Sequence, residues 1–256
     1  MANQKGGVGK TTTAVNLATA LSVAGHRVLL IDLDPQGNAC TGLGVERRQR
    51  GVGTYAALMG EAGVGEAVLA GVLPGLDLVP SDADLAGADL ELATAERREF
   101  RLRAALAGVD GGYAYVLIDC PPSLGLLTVN ALTAADAVLV PLQCEFFALE
   151  GVTQLIRTIE RIRRHLNPRL VLEGVVLTMY DRRNNLSELV AADARAHFGA
   201  QMFETVVPRN VRVSEAPSHG KPILLYDFRS PGAQAYVRLA AELLRRERRV
   251  AAELPS

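Results

Sequence analysis

Two ammonium groups, three glycines and two hydroxyls fall within eight residues, KGGVGKTT at positions 5–12. Such a set can hold a phosphate chain. Gly6, Gly7 and Gly9 free the backbone to curl, so that successive N–H groups, that of Val8 among them, face anionic oxygens. Lys10 brings a compact charge to the β/γ-phosphates, and the hydroxyl of Thr11, followed by Thr12, is placed to ligate Mg²⁺. The apolar pattern that follows predicts a helix over 11–24, closed near Gly25, with its positive dipole end aimed at the same anion.

Carboxylates complete the chemistry. RVLLIDLDPQGN (27–38) places Asp32 and Asp34 at the carboxyl end of a predicted strand, the edge where ligands collect in open α/β sheets. Alternation puts both on one face and Leu33 on the other. Aspartates before Pro35 and Gly37 also serve to organise a turn. YVLIDCPPS (115–123) ends a second apolar run at Asp119, and a strand-terminal carboxylate of this kind holds Mg²⁺, usually through water. Together these groups describe Mg-ATP hydrolysis by positioning and electrostatic stabilisation.

The loop departs from the pattern G-x-x-x-x-G-K-[ST], with Gln4 in place of the first glycine and an added Lys5. Only three of the 27 basic residues are lysines, Lys5, Lys10 and Lys221, and two of them stand in this loop. Lys5 resembles the signature lysine of the deviant Walker A ATPases, which include the ParA/Soj partition proteins, MinD and the nitrogenase iron protein. TMYDRRNNLSELV (178–190) and VVPRNVRVSEAPSHGKPILLYDFRSPGAQAY (206–236) resemble the chromosomal Soj branch of ParA.

That resemblance implies that Asp34 positions or activates the attacking water and Asp32 supports the hydration shell of the metal. It implies that Lys5 reaches the phosphates of a second subunit and that Gly6 lies where the two loops meet. Pro208 and Asn210 are implied to line the adenine pocket. Arg183 and Arg212 match positions that contact duplex DNA without reading its sequence, with Arg182, Arg209, Lys221 and Arg229 as further candidates on the same face. Local ion pairs, Arg183 with Asp181 or Glu188 and Arg212 with Glu215, are the competing reading. The implied partners are a second copy of the chain, DNA and a ParB-type protein that stimulates hydrolysis. The implied location is the cytoplasm, at the nucleoid, with no room for an N-terminal operator-binding region.

The elements that must position these groups are legible. Predicted strands are 27–32, 76–81, 115–120, 137–142, 172–180 and a run near 205–208. Helices are predicted over 11–24, 82–90, 95–107, 125–134, 149–166, 186–198 and 231–249. This alternation predicts an α/β fold, a mostly parallel sheet flanked by helices, as a single domain over 1–256. Residues 42–75 are glycine-rich and carry no clear assignment. A phosphate loop ordinarily follows a buried strand, yet only Met1 to Gln4 precede this one, so the first strand is expected to be missing.

Composition bounds the rest. At 256 residues, 49% hydrophobic and 21% charged, the chain is an ordinary globular one. No apolar run reaches the length of a membrane span. Cys40, Cys120 and Cys144 are widely spaced, which argues against a disulfide frame or an iron–sulfur carrier. Residues 1–150 carry 10 basic and 17 acidic side chains, and residues 151–256 carry 17 and 11. A basic second half suits a polyanionic partner. A MinD-like membrane ATPase and a metabolic ATP-dependent ligase are the alternatives, the first resting on the basic, alanine-rich carboxyl-terminal helix.

Overall fold

A computed structural model describes residues 1–109, 112–145 and 148–253. Six strands are present: β1 (Val28–Asp32), β2 (Leu69–Leu73), β3 (Leu76–Val79), β4 (Tyr115–Asp119), β5 (Ala137–Gln143) and β6 (Val171–Thr178). The first five helices are α1 (Lys10–Val23), α2 (Asn38–Gly42), α3 (Thr54–Met59), α4 (Val64–Ala67) and α5 (Ala88–Glu91). They are followed by α6 (Arg101–Leu106), α7 (Leu126–Ala134), α8 (Ala148–His165) and α9 (Asn185–Phe198). The short α10 (Val211–Glu215) and α11 (Ile223–Tyr226) lead into α12 (Pro231–Glu253).

β1 lies between β3 and β4, parallel to both, and β2 adds an antiparallel edge in the order β2-β3-β1-β4. All five residues of β1 are buried, as helices on both faces require. Alternation divides them. Val28 and Leu30 pack with α1 and α12, through Leu17, Leu21, Tyr236 and Leu239. Leu29 and Ile31 face Leu58, Leu85, Leu102 and Leu127 on the other side. A separate core surrounds β5 and β6, with Val140, Leu142, Val152, Leu155, Leu177 and Ala191.

Two sequence expectations need correction. The run near 205–208 forms no assigned strand; it follows the end of β6 through Val207 N–H to Leu177 O (2.8 Å), Tyr180 N–H to Val207 O (3.1 Å) and an isolated bridge between Tyr180 and Pro208. The glycine-rich segment, unassigned from sequence, contains β2, an antiparallel edge ribbon whose short apolar run is broken by Gly71 (φ 64°) and is only partly buried.

The sheet is also interrupted. β5 and β6 pair parallel with each other but form no ladder with β4. Between β4 and β5 sit only Met1 to Asn3. The Met1 ammonium donates to the Ile118 carbonyl (2.6 Å), Ala2 N–H to Leu139 O (3.3 Å) and the Asn3 amide to Pro141 O (2.7 Å). Beyond them a cleft of about 500 Å³ runs between the two half-sheets, lined by Tyr115–Ile118 and Ala137–Leu139. Three residues thus hold the carboxyl ends of β4 and β5 together, which is where the site lies.

Candidate phosphate-binding site

The loop before α1 is shaped by backbone and by two side-chain anchors. Gly7 (φ 74°) and Gly9 (φ 83°) adopt left-handed conformations that L side chains rarely accept. Gly6 does not, and a Cβ built there would meet nothing nearer than Pro122 Cβ at 3.9 Å. The single chain therefore gives no reason for glycine at position 6. Asn3 Oδ1 accepts the Lys5 N–H (3.0 Å), and the Thr178 hydroxyl at the end of β6 donates to Val8 O (2.8 Å). Gly9 precedes the first turn of α1 with no side-chain cap, so the N–H groups there are left to an anion.

Lys10 is buried and its ammonium donates to the Lys5 carbonyl (2.9 Å). Burial pulls its pKa down, against the charges of Asp119, Cys120 and Asp34. Lys5 points elsewhere. Its side chain, about two-fifths exposed, pairs with Glu145 just past β5.

β1 and β4 bring the carboxylates into one row, Asp32 facing Asp119 in parallel register. They do not have equal tasks. Asp32 accepts backbone N–H groups from Cys40 (3.0 Å) and Asp34 (3.3 Å), one on each oxygen, which shapes the turn that carries Asp34. Asp119 is fully buried and neither oxygen has a hydrogen-bond partner within ordinary range. Burial and the neighbouring Asp32 charge push its pKa up to about 7, opposed by the Thr11 hydroxyl. A carboxylate kept bare beside Thr11 and Lys10 has the chemistry of a cation ligand. Each Asp32 oxygen already accepts one backbone N–H, so of the two the unpartnered Asp119 is the better placed to hold Mg²⁺ directly. Among the described residues no group of three or more His, Cys, Asp or Glu forms a cation cage. Mg²⁺ at a phosphate site needs none, since one carboxylate, a hydroxyl and phosphate oxygens suffice.

Asp34 is buried at the mouth of the row. Its Oδ1 accepts the Gln36 N–H (3.0 Å), and its carbonyl accepts the Ser81 hydroxyl (2.6 Å). Sequence reasoning missed what stands beneath it. Arg50, only 8% exposed, donates to Ser81 O (3.3 Å), Gly37 O (3.3 Å) and the Thr41 hydroxyl (3.4 Å), and its Nε has no partner. No carboxylate pairs with it among the described residues. A glycine is required at 37 because a Cβ would collide with this guanidinium. Arg50 therefore clamps the Asp34 turn from below. The RRQR run at 47–50 disguises it as surface charge; only its position just before the glycine-flanked Thr54 helix distinguishes it. Arg50→Met is expected to leave nucleotide affinity within about twofold and lower single-turnover hydrolysis about tenfold or more through misplacement of Asp34. Equal hydrolysis rates would remove the clamp.

The remaining candidates lie on the arm from β6 to α12. Pro208 bridges to Tyr180, and Asn210 caps α10 by accepting the Val213 N–H on its Oδ1 (3.3 Å). Asn16 on α1 accepts the Ile223 N–H (2.7 Å) and ties this arm to the phosphate helix. Arg183 pairs with Asp181 through Nε (3.1 Å) and a terminal nitrogen (3.0 Å). Arg212 pairs with Glu215 (3.0 Å) and approaches Asp227 (3.8 Å). Both are exposed but locally neutralised, as the competing reading anticipates. Arg182, Arg209, Lys221 and Arg229 are also exposed. They are spread along the arm and form no single cluster.

A family profile described as an AAA domain matches residues 1–172. "Chromosome partitioning protein ParA" of Caulobacter vibrioides is 66% identical over 97% of this chain and 94% of its own. This chain belongs to the ParA/Soj family. "Sporulation initiation inhibitor protein Soj" of Bacillus subtilis is 53% identical over 94% of this chain and 95% of its own. Among solved structures, "Cobyrinic Acid a,c-diamide synthase" of Mycobacterium smegmatis, crystallised with an ATP analogue and magnesium, superposes with a TM-score of 0.84. It is 40% identical and covers 96% of this chain and 93% of its own. As in other ParA/Soj proteins the architecture is a mostly parallel sheet between helices. The apolar face of α12, Tyr236, Leu239, Ala240 and Leu243, is spent on the core against α1, and no described helix is long and apolar enough to cross a membrane.

Proposed function

We propose that this chain is a single-domain partition ATPase that hydrolyses Mg-ATP at residues 5–12, 34 and 119, and whose output is an ATP-dependent dimer that coats DNA. Magnesium, when bound, would neutralise charge on the β- and γ-phosphates. Thr11 and Asp119 would hold it, and Lys10 and the first-turn N–H groups of α1 would hold the phosphate oxygens. Asp34, fixed by Ser81 and Arg50, orients the attacking water. Pro208 and the Asn210 amide border the base.

Gly6 is the observation that carries the dimer. It is exposed, its φ lies outside the left-handed region, and a Cβ there would meet its own chain only at ordinary contact distance from Pro122, so the space it leaves open faces outward. A second phosphate loop across a two-fold axis fits that space, and Lys5 beside it reaches the other subunit's phosphates. ATP then stabilises the pair by mass action, and hydrolysis releases it. The paired basic arms bind duplex DNA without sequence preference, which places the protein at the nucleoid. A ParB-type partner accelerates hydrolysis.

Sedimentation of Asp34→Ala, which keeps ATP intact, tests this reading. Mg-ATP is expected to convert it to a dimer that shifts duplex DNA of arbitrary sequence, whereas Mg-ADP leaves it monomeric and unbound. A monomer at saturating Mg-ATP ends the proposal. The synthase name printed for the 40% identical structure favours a second reading, a ligase, which needs another substrate pocket beside the phosphate loop. Three cavities, of about 450, 500 and 680 Å³, are lined by residues other than 5–12. ATP turnover stimulated by DNA separates the two.

A further inference from the structure

The end of β6 is irregular at one residue. In an unbroken parallel ladder a residue donates to one carbonyl of the neighbouring strand and accepts from the N–H two positions further on. Val207 donates to Leu177 O (2.8 Å), so the N–H it would receive is that of Met179. It receives that of Tyr180 instead (3.1 Å), and Tyr180 O then accepts from Arg209 (3.0 Å). Met179 is therefore one residue extra, a bulge at the strand end. Its φ is 51°, in the left-handed region. Glycine is the relaxed choice for an extra residue at such a φ, because any side chain there is strained. Among the described non-glycine residues only Arg97, in an exposed turn, shares this conformation.

The bulge decides where the thioether goes. Thr178 turns its hydroxyl to Val8 O (2.8 Å), and in a regular strand the next side chain would leave by the opposite face. Met179 does not. Its Cε lies 3.8 Å from the point where a Cβ on Gly9 would stand, and Thr178 Cβ lies 3.9 Å from the same point. Two successive side chains thus reach the phosphate loop, and that of Met179 stays only partly buried. Its other neighbour, Tyr180, is bonded to Val207 and Arg209 on either side of Pro208. A nucleotide with its phosphates on residues 5–12 and its base bordered by Pro208 and Asn210 has to cross from Gly9 to that segment, over Met179.

We propose that Met179 is a nucleoside-contacting residue, whose strained bulge holds the thioether as an apolar floor beneath the ribose and base of the bound nucleotide. The proposal rests on the nucleotide site argued above. It adds a contact that meets ring surface rather than hydrogen-bonding edges, and a flexible, polarisable thioether suits an aromatic face. Glycine would satisfy the backbone here with less strain, so the side chain is what the strain retains.

Calorimetric titration of the full-length protein with Mg-ADP and, separately, with Mg-pyrophosphate tests it, since the second ligand fills the loop without a nucleoside. Met179→Gly and Met179→Ala are expected to weaken Mg-ADP about tenfold and to leave Mg-pyrophosphate within about twofold. Met179→Leu, which restores apolar bulk, is expected to recover most of the Mg-ADP affinity. Melting without ligand separates strain from contact. Both truncations lose the side chain but only glycine relaxes the backbone, so Met179→Gly is expected to melt about 2–4 °C above Met179→Ala. A glycine variant no more stable than the alanine one overturns the strained bulge on which the proposal stands. Undiminished Mg-ADP binding in both truncations, beside a parent that binds it, overturns the contact and leaves the nucleotide site standing. Equal weakening of both ligands makes Met179 a prop for the loop and overturns the contact as well. A parent that binds neither ligand overturns this proposal and the nucleotide site together.

Discussion

Asp119→Asn is expected to raise the melting temperature of the ligand-free protein by about 2–8 °C and to lower ATP turnover about 100-fold or more. The two effects share one cause. Asp119 is fully buried, its oxygens are unpartnered, and it faces Asp32 across the β1–β4 ladder. An uncompensated carboxylate in that position costs about 1–2 kcal/mol, which asparagine removes together with the charge that would hold the cation. The pH dependence follows from the same burial. In the folded chain the group keeps its proton up to about 7. An unfolded aspartate loses its proton near 4. The folded state therefore binds the extra proton between these values, and stability declines as pH rises through that window. Melting curves from pH 4 to 8 are expected to show the decline in the parent, its near absence in Asp119→Asn, and its reversal in the parent by Mg-ATP. An identical slope in the variant would place the titration elsewhere.

Lys5→Ala and Glu145→Gln are expected to move ATP-dependent dimerisation in opposite directions. In the single chain the Lys5 ammonium is tethered to Glu145, whose other oxygen accepts from Gln143. A lysine that must serve a neighbouring subunit has first to leave this partner. Removing the lysine is expected to weaken the ATP-bound dimer at least about 100-fold, the scale of losing a buried charge-assisted contact across an interface. Neutralising the carboxylate frees the lysine, so the dimer is expected to assemble at lower protein concentration. Both side chains are partly exposed, and neither change should disturb the fold. Light scattering across a protein dilution series in Mg-ATP reads both. Undiminished dimer in Lys5→Ala contradicts the trans role, and a weaker dimer in Glu145→Gln reassigns Glu145 to the interface itself.

The parts legible in the sequence are those with a local chemical signature. KGGVGKTT announces its turn through glycine and its anion through lysine, and β1 and β5 announce burial through unbroken apolar runs, whereas the equally apolar β4 is buried only at Ile118 and Asp119. The two strand-terminal aspartates are visible for the same reason, but their division of labour is not. Whether Asp32 or Asp119 spends its lone pairs on backbone depends on the return of the chain at Cys40, eight residues later. Arg50 was hidden among neighbouring arginines because a buried cation has no local pattern. Gly6 looked like part of the turn, and only its φ separates it from Gly7 and Gly9. The terminal helix is legible as a helix over 231–249, and the structure makes it a core element through Tyr236, Leu239, Ala240 and Leu243.

The interrupted sheet has a mechanical consequence. The half containing β1 and β4 bears the three carboxylates, and the half containing β5 and β6 bears Glu145 and Thr178, each of which grips the glycine loop from the far side. The loop that would hold the phosphates is therefore also a bridge between two blocks. A tightly held polyphosphate would act as a rivet, so filling the site should stiffen amides in β5 and β6 as much as those lining the loop.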